Sequence, residues 1–110
     1  MTDKIVILST CESEEEANRI SRRLVEKRVA ACVNILPGAR SIYRWKGEIE
    51  QASEFLLIIK SRRDLFEAVR EELAQGHSYE VPEVLALAVL DGSPSYLSWM
   101  DRELPSGSDE

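Results

Sequence analysis

The chain alternates between short apolar runs of strand length and longer stretches in which apolar residues recur at helical spacing. The runs cover residues 4–10, 30–36, 40–45, 54–60 and 84–90. The helical stretches cover residues 13–28, 61–76 and 93–104, with apolar positions three or four residues apart. Because the two kinds of structure differ in period, this pattern predicts the order βαββαβ with a short third helix at the end.

Local signals mark the ends of these elements. A serine followed three positions later by an acidic residue, the capping-box signature, precedes the first two helices at Ser13 and Ser61. Pro94, after a serine, is typical of the first position of a helix. Pro37-Gly38 predicts a turn or bulge inside the second strand, and a hairpin tip is expected at Gly47.

These elements predict an α+β, ferredoxin-like sandwich, in which one antiparallel sheet carries two helices on one face. We expect residues 1–104 to form a single domain and residues 105–110 a flexible C-terminal tail. Two helices leave the other face uncovered, and in a monomer its apolar residues would contact water, with the rings of Tyr43 and Trp45 or their neighbours among them. The pattern therefore predicts a closed homo-oligomer.

Composition argues against several classes of function. The 110 residues include 20 acidic and 14 basic ones, a net charge of -6 that repels nucleic-acid phosphates and anionic membranes. We therefore expect no nucleic-acid and no membrane partner. The apolar run at residues 5–8 is too short for a signal peptide or a membrane span, so the expected location is the cytoplasm. Cys11 and Cys32 are not spaced as a metal-binding or redox pair.

The segment after the second helix contains the only histidine of the chain, His77. Tyr79, Glu80 and Glu83 follow within six positions, so imidazole, phenol and carboxylate groups can converge on a transition metal or a polar small molecule. A complete metal site needs further donors, and the end of the first strand, with Cys11, is the obvious source. The competing interpretations are a hydrogen-bonded histidine and a cysteine that only packs.

Other side chains have two interpretations each. Lys60 ends an apolar strand, where it either anchors an anion in a cleft or extends its ammonium group into water. Tyr43, Trp45 and Trp99 are typical of packing or interface aromatics, with ligand stacking as the alternative. The sequence contains no nucleophile and base at a catalytic spacing, no phosphate-binding loop and no dinucleotide fingerprint. We therefore expect a protein that is not an enzyme and has no organic cofactor.

Several motifs, in the same order, resemble the CutA divalent-cation tolerance family. They are LVEKRVAACVNILPG at residues 24–38, SIYRWKG at 41–47, IK at 59–60 and HSYEVPE at 77–83. The resemblance extends from about Lys4 to about Leu104. It implies the ferredoxin-like fold assembled as a tight trimer, in which long second and third strands pair across subunits. It also implies a cytoplasmic role in tolerance of copper and other divalent cations.

The metal ligands proposed for that family are a cysteine near the end of the first strand and a His-His pair before Pro-Tyr. Carried onto this sequence, these positions fall on Ser9 and on Gly76 with His77, so only His77 is retained. Cys11 lies two positions from Ser9, hence on the same strand face, and is a possible substitute. The resemblance thus implies copper(II) or another divalent metal ion as ligand, with His77 and Glu83 or Cys11 as donors.

Two alternatives come from other classes of function. A trimeric small-molecule sensor resembling the PII-type signalling proteins would use Lys60, Tyr79, Trp45 and Arg44 to line a subunit cleft for an anionic ligand. A rigid trimeric scaffold would instead hold protein partners, with the third helix as the contact. Thermal shifts with nucleotides or carboxylates but not with metals would favour the sensor.

Overall fold

The structure is a computed structural model and describes residues 1–105. Within this part of the chain, four strands form one antiparallel sheet in the order β2-β3-β1-β4. The elements are β1 Lys4–Cys11, α1 Glu14–Glu26, β2 Cys32–Trp45, β3 Glu48–Arg62, α2 Phe66–Gly76, β4 Leu85–Ala88 and α3 Pro94–Glu103. The predicted ferredoxin-like α+β sandwich is confirmed. Of the predicted tail, only Pro105 lies within the described residues, and its carbonyl accepts a hydrogen bond from Arg62.

Helix α1 begins where the capping signal predicts. The Ser13 hydroxyl accepts a hydrogen bond from the Glu16 N–H at 3.1 Å, which satisfies one of the free donors of the first turn. The Glu16 carboxylate accepts from both the N–H and the hydroxyl of Ser78. The first half of the capping box is therefore present, and the acidic residue links α1 to the segment that follows α2.

The capping signal predicted at Ser61 is wrong. Ser61 is buried inside β3, and its hydroxyl donates to the Val29 carbonyl at 2.6 Å. β3 continues past it because Arg62 still pairs with Lys4 of β1. Helix α2 starts only at Phe66, after a 3-10 turn and without a side-chain cap. Pairing with a distant strand outweighs the local signal here.

The strands also differ in length from their apolar runs. β2 and β3 are joined by a tight turn at Lys46 and Gly47, with φ of 52° and 85°. Positive φ at both central residues is typical of a type I′ turn, whose twist matches that of the two strands. Residues 48–53, which are mostly polar, therefore also become strand. β4 is shorter than its apolar run, because only Leu85–Ala88 pairs with β1.

The core lies between the sheet and the helices α1 and α2. Alternate residues of β1 and β3 face these helices, as the two-residue period of a strand requires. The core includes Ile5, Ile7, Leu57 and Ile59 from the strands and Ile20, Leu24, Val69 and Leu73 from the helices, each at most 6% exposed. Most of the chain's buried apolar surface is therefore on one side of the sheet.

The second face of the sheet carries an apolar row that α1 and α2 do not cover. Antiparallel partners share a face, and the pairs Val6↔Leu87, Leu8↔Leu85 and Leu36↔Leu56 place apolar side chains of all four strands on this side. Leu85 and Leu87 are 58% and 52% exposed. We call this row the open face. The expected uncovered face is thus present in the structure.

Helix α3 contacts only the beginning of the open face. Its Asp101 carboxylate lies 3.1 Å from the Lys4 ammonium and 3.6 Å from the Arg62 guanidinium. The hydrogen bonds from Arg62 to Asp64, and then the charges of Asp64 and Asp101, hold the pKa of Arg62 above its ordinary value. Further along, the open face has no covering element within residues 1–105.

A bulge in β2 decides which side chains of the hairpin belong to the open face. Leu36 opposes Leu56, whereas Ala39 opposes Glu54, so β2 contains one extra residue. Gly38 has φ of 86°, a conformation that side chains rarely adopt and that bulges use. After the bulge the odd-numbered residues share the face of Leu36. Tyr43 and Trp45 therefore lie on the open-face side of the hairpin.

Candidate functional site

A cleft of about 640 Å³ lies where the hairpin, the end of β1 and the segment 77–83 meet. The hairpin reaches beyond the other strands, because β1 pairs with β3 only from Phe55 to Arg62. We call residues 39–53, which extend past that pairing, the ribbon. The lining residues are Thr10, Ser41, Ile42, Tyr43, Trp45, Glu54, Ser78, Tyr79, Glu80, Val81 and Glu83.

His77 is held by backbone groups at both ring nitrogens. Its side chain is fully buried, and Nε2 lies 2.6 Å from the Thr10 carbonyl near the end of β1. Nδ1 accepts a hydrogen bond from the Tyr79 N–H at 3.1 Å. A carbonyl only accepts and an amide N–H only donates, so these two hydrogen bonds require the tautomer with its proton on Nε2. His77 therefore fastens the segment 77–83 to β1.

The Glu16 carboxylate is a second anchor for the same segment. It accepts from the Ser78 N–H at 2.5 Å and from the Ser78 hydroxyl at 3.1 Å. Its position in the first turn of α1 adds a favourable interaction with the helix dipole. A strand and a helix thus fix the segment together, and Tyr79 follows directly.

Tyr79 reaches from this segment to the base of the ribbon. Its hydroxyl donates to Glu54 Oε2 at 2.5 Å, and the Ser41 hydroxyl donates to Glu54 Oε1 at 2.5 Å. Burial, the hydrogen bond to Glu54 and the charge of Glu54 raise the pKa of Tyr79. Tyr79 therefore remains a neutral hydrogen-bond donor at physiological pH.

Glu54 is a buried carboxylate without a positive partner. It is 6% exposed, and no basic side chain within residues 1–105 forms an ion pair with it. Its two bonded hydroxyls satisfy part of its acceptor capacity but carry no charge. A buried carboxylate is costly without a cation nearby. Glu54 therefore makes the inner wall of the cleft attractive to cations.

Cys11 lies beside His77 but behaves as a packing residue. Its Sγ is 3.9 Å from His77 Nε2, and the side chain is fully buried. Burial and then the charge of Glu16 raise the pKa of the Cys11 thiol to about 12. Metal ligation requires the thiolate, so the resting state of Cys11 is a poor ligand.

The other predicted site residues divide into two groups. Trp45, Tyr79 and Glu83 line the cleft, as expected for a convergent site. Lys60 lies away from it and donates to Asn34 Oδ1 at 2.5 Å. Arg44 opposes Ile49 in the ribbon and has the opposite strand parity to Trp45, so it belongs to the reverse side. Neither predicted cation lines the cleft.

The donors present do not form a ready site for copper(II) within one chain. Among residues 1–105, no group of three or more His, Cys, Asp or Glu side chains converges closely enough to hold a metal ion. Both nitrogens of His77 are already bonded, and Cys11 keeps its proton. A ligand role for His77, Glu83 and Cys11 stays a prediction, and it requires the hydrogen bonds of His77 to open.

Sequence reasoning missed Glu54 and Glu16 as site residues. Glu16 was assigned to helix capping alone, and Glu54 stood at the start of an apolar run without a neighbouring motif. One signal was available for Glu54, because a carboxyl group at the start of a buried strand needs a partner.

The chain is similar over most of its length to proteins of one family. Residues 5–103 match the family model described as CutA1 divalent ion tolerance protein. The Protein CutA of Mus musculus is 48% identical over 99 residues, which are 90% of this chain and 56% of the mouse protein. The divalent-cation tolerance protein CutA of Thermus thermophilus is 46% identical over 95 residues, 86% of this chain and 92% of that protein.

A solved structure shows the same fold. The crystal structure of CutA from Xylella fastidiosa superposes with a TM-score of 0.92 at 43% sequence identity, covering 94% of this chain and 100% of that one. The present chain thus spans about half the length of the mouse relative but nearly all of the bacterial ones. Sequence identities of 43–48% over most of the chain mean that these proteins share more than a fold.

Proposed function

The chain belongs to the CutA1 divalent ion tolerance family, and on that premise we propose that it acts in divalent-cation tolerance as a homotrimer, by binding rather than by catalysis. The observation that supports an assembly is the open face. Its exposed leucines continue into the same side of the ribbon, where Tyr43 and Trp45 are 44% and 37% exposed. A single chain that leaves such a surface in water is expected to bury it against other copies.

The outer edge of β2 supports the same proposal. β2 is an edge strand of 14 residues, so its unpaired backbone groups can form a ladder with another strand. Long edge strands are normally covered in native proteins, and within residues 1–105 no element pairs with this one. We propose that the ribbon of a neighbouring copy pairs with it.

Native mass spectrometry of two matched variants tests the trimer. Leu87→Glu places a charge on the open face, whereas Val25→Glu makes the same change at an exposed apolar position of α1. We expect three chains in the wild type and in Val25→Glu, and single chains in Leu87→Glu. A wild-type monomer, or a Leu87→Glu variant that remains trimeric, contradicts the proposed use of this face.

We propose further that the trimer binds copper(II) or another divalent ion through His77 with Glu83 or Cys11. The short distance between His77 Nε2 and Cys11 Sγ, 3.9 Å, supports this role. The bonds of His77 to Thr10 and Tyr79 compete with it, so we expect weak binding. Copper is favoured over most divalent ions at imidazole sites in general, so its uptake alone does not identify the physiological metal.

Copper uptake by the metal-free protein is measured by the same method. Wild type is compared with His77→Gln and with Cys32→Ser, a thiol that lies outside the proposed donor set. Loss of copper in His77→Gln alone, with the trimer and the thermal midpoint retained, supports His77 as a ligand. Equal uptake by all three proteins removes the metal role from His77 and leaves the assembly proposal intact.

For the location, we propose the cytoplasm. Cys11 and Cys32 are both free thiols, as is usual in reducing compartments. Subcellular fractionation with a compartment marker tests this placement. No helix within residues 1–105 is long and apolar enough to cross a membrane.

A further inference from the structure

The cleft combines aromatic rings with negative charge. Three rings and three carboxyl groups line it: Tyr43, Trp45, Tyr79, Glu54, Glu80 and Glu83. The described lining contains no lysine or arginine. Aromatic faces attract cations through the ring quadrupole. The cleft volume of about 640 Å³ is within the range of small-molecule sites.

The buried carboxylate of Glu54 favours a positively charged ligand in this cleft. It is almost fully buried, and its partners, the hydroxyls of Ser41 and Tyr79, are neutral. A buried carboxylate is stabilised most when a positive group lies close to it. Within residues 1–105 no such group pairs with it, so the cleft has room and charge for a cation from outside the chain.

Trp45 already attracts an ammonium group of its own chain. Lys46 Nζ lies 5.7 Å from the centroid of the indole ring, within the reach of a cation–π interaction. Lys46 is an exposed turn residue, and the Trp45 side chain is only partly covered. Such an exposed contact is weak and can be replaced by a ligand with better complementarity.

We infer that the cleft binds a small organic ammonium ion, whose apolar body contacts Tyr43, Trp45 and Tyr79 and whose charge is compensated by Glu54. A hydrated metal ion would present water rather than apolar surface to the three rings. An anion would meet three carboxyl groups and no lysine or arginine of the described lining.

A sensor for an anionic ligand, one of the alternatives from the sequence, would need Lys60 and Arg44 at the cleft, and neither residue lines it. The ammonium ion would share Glu83 with one form of the proposed metal site but would contact neither His77 nor Cys11. Substitutions of Glu54 and Tyr43 therefore test the ammonium ion apart from the metal.

The test uses the intact protein carrying Trp99→Phe. The sequence has two tryptophans, so Trp45 is the one that remains. It is titrated with tetramethylammonium chloride and with tert-butyl alcohol, a neutral molecule of similar size and shape, at constant ionic strength. We expect Trp45 fluorescence to saturate at a concentration at least tenfold lower for the cation. Equal responses, or no saturable response to the cation, overturn the inference.

Two charge variants test whether the ammonium ion binds beside Glu54. Glu54→Gln keeps a hydrogen-bonding side chain of the same size without the charge, and we expect it to weaken the cation at least fivefold. Glu26→Gln removes the same net charge from an exposed position at the end of α1 and should leave the affinity unchanged. Equal weakening by both variants means that only net charge acts, and overturns the inference.

Two further variants keep the test decisive should Glu54→Gln fold poorly. Tyr43→Leu removes one ring without touching the hydrogen bonds of Glu54, and should abolish the preference for the cation over the alcohol. Lys46→Asn removes the competing ammonium and retains a residue that tolerates positive φ, so binding should tighten at least twofold. Unchanged affinity in both variants contradicts the placement beside Trp45.

The last measurement asks whether an inorganic cation displaces the ammonium ion. Magnesium chloride is added to the protein saturated with tetramethylammonium, with sodium chloride at equal ionic strength as control. We expect no displacement beyond that of sodium. Selective displacement by magnesium identifies an inorganic-cation site and overturns the inference, without affecting the trimer and copper measurements.

Discussion

The strands β2 and β3 run through two regions that are stabilised differently: the ribbon, and the rest of the four-stranded sheet, which we call the body. In the body, Leu57 and Ile59 of β3 have no exposed surface, because α1 and α2 cover them. In the ribbon, Ile42 and Ile49 are about two-thirds exposed, and β2 and β3 have only each other. A two-stranded hairpin is marginal in water by itself. The body is therefore stabilised within one chain, whereas we propose that the ribbon is stabilised by contacts with other copies.

The bulge at residues 37–38 is the junction between the two regions. Before it, the side chains of β2 alternate in step with the packed sheet. After it, the alternation is shifted, and the aromatic residues of the ribbon lie on the open-face side. One extra residue thus joins a region packed within the chain to one whose aromatic rings are partly exposed.

The largest expected contrast between the regions is the response to loss of an apolar side chain. Leu57→Ala opens a cavity in the fully buried body and should lower the free energy of unfolding by about 3 kcal/mol. Ile49→Ala in the ribbon should change the unfolding of the dissociated chain by no more than about 0.5 kcal/mol. Denaturant titration of both variants, in the wild-type and Leu87→Glu backgrounds, checks this. A similar loss in both regions of the dissociated chain contradicts the comparison.

A smaller effect is expected at the junction. Gly38→Ala meets no atom within 4 Å, so its cost comes from the positive φ alone and should be about 1 kcal/mol. Denaturant titration gives this loss, and native mass spectrometry shows whether the trimer persists. Ser53→Ala, a substitution in the ribbon without a positive φ, is the control. An unchanged Gly38→Ala protein would mean that the bulge does not require this conformation.

A stabilising change is expected inside the body. The Ser9 hydroxyl is buried and has no hydrogen-bond partner within residues 1–105. Ser9→Ala removes an unsatisfied polar group and should raise the free energy of unfolding by about 1 kcal/mol. Ser53 is an exposed serine of the ribbon, and Ser53→Ala should have little effect in the same denaturant titration. A destabilised Ser9→Ala protein would show that the hydroxyl is satisfied in solution.

The smallest effect is expected on the outer surface of the helices that cover the body. Hydrogen bonds to Arg23 and Lys27 hold the pKa of Glu72 below its ordinary value of 4.5. A lowered folded-state pKa stabilises the protein above the unfolded pKa, and this gain is lost as the pH falls through the folded one. Glu72→Gln should therefore cost less than about 1 kcal/mol at pH 7.

Thermal denaturation of Glu72→Gln and wild type across pH 7 to 3 measures this difference. The two curves should converge at the acid end, where the carboxyl group is protonated in both folded and unfolded chains. Glu67→Gln, which loses only an exposed pair with Arg70, is the control and should show a smaller difference. A difference that grows towards acid pH contradicts the assigned sign.

The candidate site was predictable in part. Tyr79 and Trp45 were expected at a cleft for the sensor alternative and Glu83 as a metal donor, and all three line one cleft. The sensor alternative also needed Lys60 and Arg44, which do not line this cleft. Which strand face a residue occupies depends on register, and a single bulge changes it.

The order of elements, the first cap at Ser13 and the family could be predicted from the sequence, because they follow from periodicity, short-range hydrogen bonds and motif order. That Ser61 extends a strand, that His77 bonds Thr10 and that Glu54 accepts from the Tyr79 hydroxyl became visible only in the folded chain. Each of these contacts joins residues far apart in the chain. Local pattern contains no information on such pairs, because they form only when strand register and helix packing bring the groups together.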